Sequence, residues 1–285
     1  MKFGAHALIW SAAIDRDLFA RFPAIREHGF DGVEMLIIRP EDVPVAEVRR
    51  SLADTGLECT FSAILPPPLS LVDEDAAIRR KATAHIAESV RVAAEAGAQI
   101  VAGPLYSPVG CFTGHRRTAA EWQRAVECYQ SLGDTLRAHG VTLALEPLNR
   151  FETYFLNTAA DAARLAAEVG HPNVGILFDT FHANIEERNV AGALSAVGPH
   201  LKHFHSSETD RGIPGAGHTD WPAVFRALAG LRYDGWVTIE SFGFALGELS
   251  AAASIWRDLA PSAEAIPFEG VQFLKRVSQS VERLP

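Results

Sequence analysis

The sequence predicts one α/β domain over residues 1–285, folded as a single closed (β/α)₈ TIM barrel. Short runs of β-forming residues alternate with longer alanine-rich helical runs, and this alternation occurs eight times along the chain. Strands separated by helices pair in parallel, and the length of 285 residues is close to the ~250 residues typical of this barrel. A doubly wound open sheet is the alternative, but no GxGxxG motif follows the first predicted strand.

Residues that end regular structure separate these strands and helices. The predicted strands are residues 3–9, 32–37, 57–64, 99–105, 141–146, 174–179, 200–205 and 236–240. The predicted helices are residues 18–28, 43–55, 73–96, 119–139, 158–169, 189–197, 221–231 and 267–281. Glycine directly follows several of these helices, as expected where the backbone turns left-handed, and the three prolines at 66–68 end the third strand.

Composition and charge restrict the class of protein. The chain is 48% hydrophobic and 21% charged, with a formal net charge of −9, which is typical of a globular domain. The acidic balance disfavours a nucleic-acid partner, because binding a phosphate backbone needs clustered Lys and Arg. No signal peptide and no apolar run of the ~20 residues needed for a membrane span is evident, and the three widely spaced cysteines are expected to be free thiols. We therefore expect a cytoplasmic protein that acts on a small molecule.

Polar side chains end four successive predicted strands. These residues are Glu146, Asp179, His205 and Glu240, about one strand–helix unit apart. The carboxyl ends of barrel strands converge on the active site, and three buried carboxylates repel one another unless they bind a cation. One imidazole among carboxylates suits Mn²⁺, Mg²⁺ or Co²⁺ better than a structural Zn²⁺. The sequence therefore predicts one bound divalent metal ion, most favourably Mn²⁺.

Three more polar residues follow these strands within a few positions. Glu152, His182 and Arg211 lie in predicted loops beside the metal ligands, where substrate contacts are expected. For each of these side chains, a solvated loop charge is the alternative interpretation. Their coincidence at neighbouring strand ends indicates a binding site.

The segments that carry these residues resemble the motifs of a known enzyme family. ALEPLNRFET, FDTFHANIEE, HFHSSETDRGIPGAGH and WVTIESF are similar to motifs of ketose 3-epimerases of the D-tagatose/D-psicose 3-epimerase type, within the xylose isomerase-like TIM barrels. The resemblance is dense between about residues 141 and 243, and GPLYSPVG adds a weaker match. The N-terminal third matches mainly in layout, including the strand-end segment GVEML with Glu34.

The resemblance implies a role for each candidate residue. It assigns Glu146 and Glu240 as the acid–base pair, and as metal ligands together with Asp179 and His205. By the same resemblance, the residues that hold the sugar are Glu152, His182 and Arg211, and Phe242 is the aromatic residue beside it.

The implied reaction is metal-dependent epimerisation at C3 of a free ketose such as D-tagatose, D-psicose or a ribulose. One glutamate would remove the C3 proton to give a cis-enediolate, and the other would return a proton on the opposite face. An aldose–ketose isomerase, an inosose-type dehydratase and a metal-stabilised barrel that only binds a sugar are the alternatives. A phosphorylated sugar remains an alternative substrate, because a glycine-rich segment, 212–217, follows strand seven. The resemblance also implies a homodimer or homotetramer.

Overall fold

The computed structural model describes residues 1–242 and 253–282, and in this part of the chain eight parallel strands close into a barrel. The strands follow one another around the barrel in sequence order, and the first pairs with the last. They are β1 (Lys2–His6), β2 (Gly32–Ile37), β3 (Glu58–Ala63), β4 (Ile100–Gly103), β5 (Thr142–Leu145), β6 (Val174–Asp179), β7 (Leu201–His205) and β8 (Trp236–Ile239). The predicted (β/α)₈ barrel is confirmed, and the open sheet is excluded.

Helices connect the strands and pack their apolar faces on the outside of the barrel. The described helices are α1 (Arg16–Phe19), α2 (Phe22–Glu27), α3 (Val45–Thr55), α4 (Ala76–Ala96), α5 (Ala119–Ser131), α6 (Gly133–His139), α7 (Ala159–Val169), α8 (Thr180–Glu186), α9 (Val190–Val197), α10 (Trp221–Gly230) and α11 (Ala265–Glu282). Within the described ranges, no helix is both long enough and apolar enough to cross a lipid bilayer.

Two predicted helices are each divided in the structure. The prediction for residues 18–28 is replaced by α1 and α2, because Pro23 stands in the first turn of a new helix, where its missing N–H costs nothing. The prediction for residues 119–139 is replaced by α5 and α6, which meet at Leu132 directly before Gly133. Glycine is a weak helix former, so this is where a long helix breaks most readily.

Short-range hydrogen bonds explain two further differences from the prediction. The first strand ends at His6 and not at residue 9, because the His6 side chain accepts a hydrogen bond from the Leu8 backbone and starts a 3₁₀ turn. Helix α8 begins directly after β6, where the Asp179 side chain accepts a hydrogen bond from the Phe181 N–H and caps the helix. The segment that we expected to be a loop after β6 is therefore helical.

Gly103, at the end of β4, holds a backbone conformation that only glycine adopts easily. Its φ is +128°, and a Cβ atom placed on it would lie 2.3 Å from the Ala63 carbonyl oxygen at the end of β3. A side chain there would push apart two neighbouring strands at the C-terminal mouth of the barrel. The close approach of β3 and β4 at this edge thus depends on the absence of a side chain.

We predict that Gly103→Ala lowers the free energy of unfolding by about 3 kcal/mol, since backbone strain and overlap with Ala63 add together. The matched control is Gly140→Ala at the end of α6, where φ is also positive, at +65°, but where no atom lies within 4 Å of the added Cβ. That change is expected to cost only about 1 kcal/mol. Urea denaturation of both variants measures the difference, and equal losses would contradict the close-approach explanation.

Candidate active site

Four side chains at the ends of β5 to β8 form one cluster in the mouth of the barrel. Asp179 and His205 are the last residues of β6 and β7, and Glu146 and Glu240 directly follow β5 and β8. All four are buried, and each offers one ligand atom within 4.8 Å of the others. The two glutamates occupy the outer positions of this group, because β6 and β7 lie between β5 and β8.

The pKa values of the three carboxyl groups in this cluster are displaced in opposite directions. Burial, followed by the charge of Glu240, raises the pKa of Glu146 well above its ordinary value. Burial also raises the pKa of Asp179, to about 6. Burial would raise the pKa of Glu240 too, but the positive charge of Arg211 and the neighbouring histidines hold it well below its ordinary value. The cluster therefore needs positive charge before all three groups can be ionised together.

Arg211 supplies positive charge to this cluster. Its Nη1 lies 3.1 Å from Asp179 Oδ2 and also donates to Glu240 Oε2. The guanidinium group lies between two aromatic rings, 4.0 Å from the centre of Phe181 and 4.8 Å from that of Phe242, as cation–π contacts favour. The predicted loop residue thus points inward, with a φ of +65°, and is almost entirely buried.

His205 is oriented so that one ring nitrogen faces the carboxylates. Its Nε2 lies 2.9 Å from Glu34 Oε1, and a carboxylate at that distance accepts the N–H. The other nitrogen, Nδ1, is buried without a hydrogen-bond partner, 3.5 Å from Glu240 Oε2. An unpaired imidazole lone pair and three carboxylates, all within 4.8 Å, fit a divalent cation.

His182 presents a hydrogen-bond donor to the same site. Its Nδ1 accepts the backbone N–H of Asn149 at 3.1 Å, so in the neutral ring the proton is on Nε2. Nε2 lies 3.6 Å from Glu146 Oε1 and 3.8 Å from Asp179 Oδ2. Burial, together with the charge of Arg211, holds the pKa of His182 well below its ordinary value. The ring is therefore neutral and points an N–H at the carboxylate cluster.

Glu152 lies in the segment between β5 and α7, three residues after Asn149. Its Oε1 accepts a hydrogen bond from Asn149 Nδ2 at 2.7 Å, so Asn149 positions both Glu152 and His182. Burial raises the pKa of Glu152. The residue faces a cavity and does not belong to the carboxylate cluster.

A cavity of about 170 Å³ opens directly above the cluster. Its polar floor and one wall contain Glu146, Glu152, His182, Arg211 and Glu240. Its remaining walls are mainly apolar, formed by residues such as Leu8, Leu36 and Phe242. A wider hollow of about 690 Å³ shares Glu152 and Phe181 with it and leads towards solvent. The site can therefore hold a small polar molecule with one end on the cluster and the other against an apolar wall.

The structure thus brings the seven candidate polar residues and Phe242 to one place, and it adds contacts that the sequence analysis missed. Asn149 lies three positions from both Glu146 and Glu152, and Phe181 directly precedes His182, but nothing in their own spacing distinguishes them. Glu34 lies in the middle of β2 and not at its end, so it points into the barrel beneath the cluster. A lone acidic residue inside an otherwise apolar strand was the available signal for Glu34.

We predict that this site binds a divalent cation more weakly as the pH falls, because the raised pKa values of Glu146 and Asp179 mean that protons must leave before the ion binds. Between pH 7.5 and pH 5.5 the affinity should fall by about tenfold or more. Calorimetric titration with Mn²⁺ in two buffers of different ionisation enthalpy measures both the affinity and the protons released. An affinity that stays constant over this range, without proton release, would be inconsistent with this site.

Comparison with known proteins agrees with this geometry. The family model described as a xylose isomerase-like TIM barrel matches residues 22–276. A probable ketose 3-epimerase from Synechocystis sp. is 35% identical over 98% of both chains. An L-ribulose 3-epimerase from Mesorhizobium japonicum is 33% identical over 90% of this chain and 88% of its own.

A solved structure gives the same result. D-Allulose 3-epimerase from Methylomonas sp., in complex with D-allulose, superposes with a TM-score of 0.91 at 28% identity, over 97% of this chain and 96% of that one. Sequence and structure point to the same group of isomerases. The chain belongs to the ketose 3-epimerase family within the xylose isomerase-like TIM barrels.

Proposed function

We propose that this protein inverts the configuration at C3 of a free ketose, with Glu146 and Glu240 as the acid–base pair. The observation that carries the proposal is the placement of these two glutamates at the outer positions of one buried cluster, beneath a cavity of sugar size. A protein that only binds a sugar needs no such pair. Epimerisation does need two proton-transfer groups, because the proton leaves one face of the carbon and returns on the other.

The metal ligands in this proposal are Glu146, Asp179, His205 and Glu240. A divalent ion bound to them would polarise the sugar carbonyl and make the neighbouring C–H more acidic. The ion would also take over the neutralising role of Arg211, whose N–H groups would then be free to donate to sugar oxygens. Mn²⁺ is the proposed ion, and Mg²⁺ and Co²⁺ suit the same donors.

The other polar residues would hold the substrate around the reacting carbon. His182, as a neutral ring, would donate its Nε2–H to a sugar oxygen, and Glu152 would accept a hydrogen bond from a hydroxyl group. One glutamate would take the C3 proton to give a cis-enediolate, while the other would hold the proton to be returned. Hydrogen-bond donors already in place stabilise the developing oxyanion without reorganisation.

The segment 212–217 favours a free sugar over a phosphorylated one. The Gly212 N–H donates to Asp210 Oδ1 at 2.9 Å, so it is already engaged. The Gly215 N–H donates to Glu208 Oε2 at 2.8 Å. Glu208 is buried, and its carboxylate also accepts hydrogen bonds from Thr219 and Trp221. A phosphate group would meet these carboxylates in place of free N–H groups.

We also propose a homo-oligomeric assembly and a cytoplasmic location for this protein. Large apolar side chains are exposed in the described residues, with Phe151 73% and Trp256 78% accessible, and this supports a homodimer or homotetramer. The net charge of −9 supports the absence of a nucleic-acid partner. We propose a cytoplasmic enzyme whose partner is its sugar substrate, with no membrane partner.

Isotope exchange tests the reaction. Mn²⁺-loaded protein is incubated in D₂O with D-fructose, D-psicose, D-tagatose or L-ribulose, and C1 and C3 are observed by NMR. We expect deuterium at C3 together with the C3 epimer, and a rate at least about 10³-fold lower for Glu146→Gln and for Glu240→Gln, since each loses one proton-transfer step. Exchange at C1 with an aldose product would indicate an isomerase, loss of a hydroxyl would indicate a dehydratase, and no exchange would indicate binding alone.

A second prediction concerns phosphate. We expect kcat/KM for D-fructose to exceed that for the same sugar phosphorylated at C6 by at least about tenfold. The cavity wall away from the cluster is mainly apolar, so a phosphate group there would be left without partners, which costs more than about 1.4 kcal/mol. Initial rates with both sugars, at equal Mn²⁺, measure the ratio. A preference for the phosphorylated sugar would mean that the 212–217 segment rearranges to bind it.

A further inference from the structure

We infer that Glu34 is a positioning residue that holds His205 in the form needed to bind the metal ion. The inference rests on the proposed metal site, and it assigns a function to a strand residue outside the ligand set. Glu34 lies on β2, across the barrel interior from the strands that carry the four ligands. Its carboxylate meets the nitrogen of His205 that faces away from the cluster.

Both oxygens of Glu34 are used by hydrogen bonds inside the barrel. Oε1 accepts from His205 Nε2 at 2.9 Å. Oε2 accepts from Thr60 Oγ1 at 2.7 Å and from His203 Nε2 at 2.5 Å. Strand register explains the Thr60 contact, because Glu34 and Thr60 are paired positions of β2 and β3. A carboxylate held by three donors has little freedom to rotate, so its acceptor for His205 is fixed in place.

This contact determines which nitrogen of His205 carries the proton. A carboxylate accepts, so in the neutral ring Nε2 keeps its hydrogen and Nδ1 has the lone pair. Nδ1 is buried, lacks a hydrogen-bond partner and lies on the side of Glu240. Without Glu34, the proton could occupy Nδ1 and block coordination. The negative charge of Glu34 also makes the imidazole a stronger donor to a cation.

Glu34 is not a ligand of a second metal ion. Glu34, His203 and His205 also bring ligand atoms within 4.8 Å of one another. These atoms are hydrogen-bonded to each other, at 2.5 Å and 2.9 Å, and all three side chains are buried to 1% exposure or less. An ion bound there would have to break both hydrogen bonds. It would also remove His205 from the cluster of four proposed ligands.

The test is the affinity of the metal-free, full-length protein for Mn²⁺, measured by titration calorimetry. We expect Glu34→Gln to bind Mn²⁺ about 10- to 100-fold more weakly than the wild type, as for other carboxylates behind a metal-binding histidine. The matched control is Glu121→Gln. Glu121 is another buried glutamate held by side-chain hydroxyl groups, those of Tyr154 and Thr118, but it lies on α5 away from the ligands. Its affinity for Mn²⁺ should equal that of the wild type.

A second measurement uses only the wild-type protein, so it remains possible if Glu34→Gln fails to fold. In Zn²⁺-loaded protein labelled with ¹⁵N-histidine, His205 should carry its proton on Nε2 and coordinate through Nδ1. A proton on Nδ1, or equal Mn²⁺ affinity of Glu34→Gln and the wild type, would overturn the role of Glu34. Tight Mn²⁺ binding by the wild type without C3 exchange would overturn the proposed reaction but not the role of Glu34. A wild type that binds no metal would overturn both the proposed reaction and the role of Glu34.

Discussion

Repulsion between three buried carboxylates is the constraint on which the rest of this structure depends. Glu146, Asp179 and Glu240 are brought within 4.8 Å of one another by strand ends that cannot move apart without opening the barrel. Such a group is stable only if protons or cations balance it. Arg211 supplies one positive charge, but burial and the charge of Glu240 still raise the pKa of Glu146 well above its ordinary value. Closure of the sheet thus creates a cluster of carboxylates that could hold a metal ion.

The orientation of the two site histidines comes from groups that lie behind them. The Asn149 backbone N–H can only donate, so it makes His182 present a proton to the cavity. The Glu34 carboxylate can only accept, so it makes His205 present a lone pair. Two chemically identical side chains thus take opposite roles a short distance apart. Each role is determined by the partner of the ring nitrogen that faces away from the reaction.

Periodicity and strand position were enough to predict the barrel and the grouping of the seven named residues. Parallel strands all end at one edge, so polar residues at strand ends must meet there. The breaks at Pro23 and Gly133 were missed, although both residues are local signals for the start of a new helix or the end of an old one. Sequence could not predict that Arg211 turns inward between Phe181 and Phe242, because that contact depends on the path of a loop. Glu34 was missed as a partner of His205 because 171 residues separate them in the chain.

That separation in the chain has a consequence for how the site comes into being. The four candidate ligands all lie in the C-terminal half of the barrel, but the acceptor behind His205 lies on β2, in the N-terminal half. A C-terminal half without β2 would carry the four candidate side chains but not the group that orients one of them. The arrangement is therefore complete only when both halves of the barrel have closed on each other.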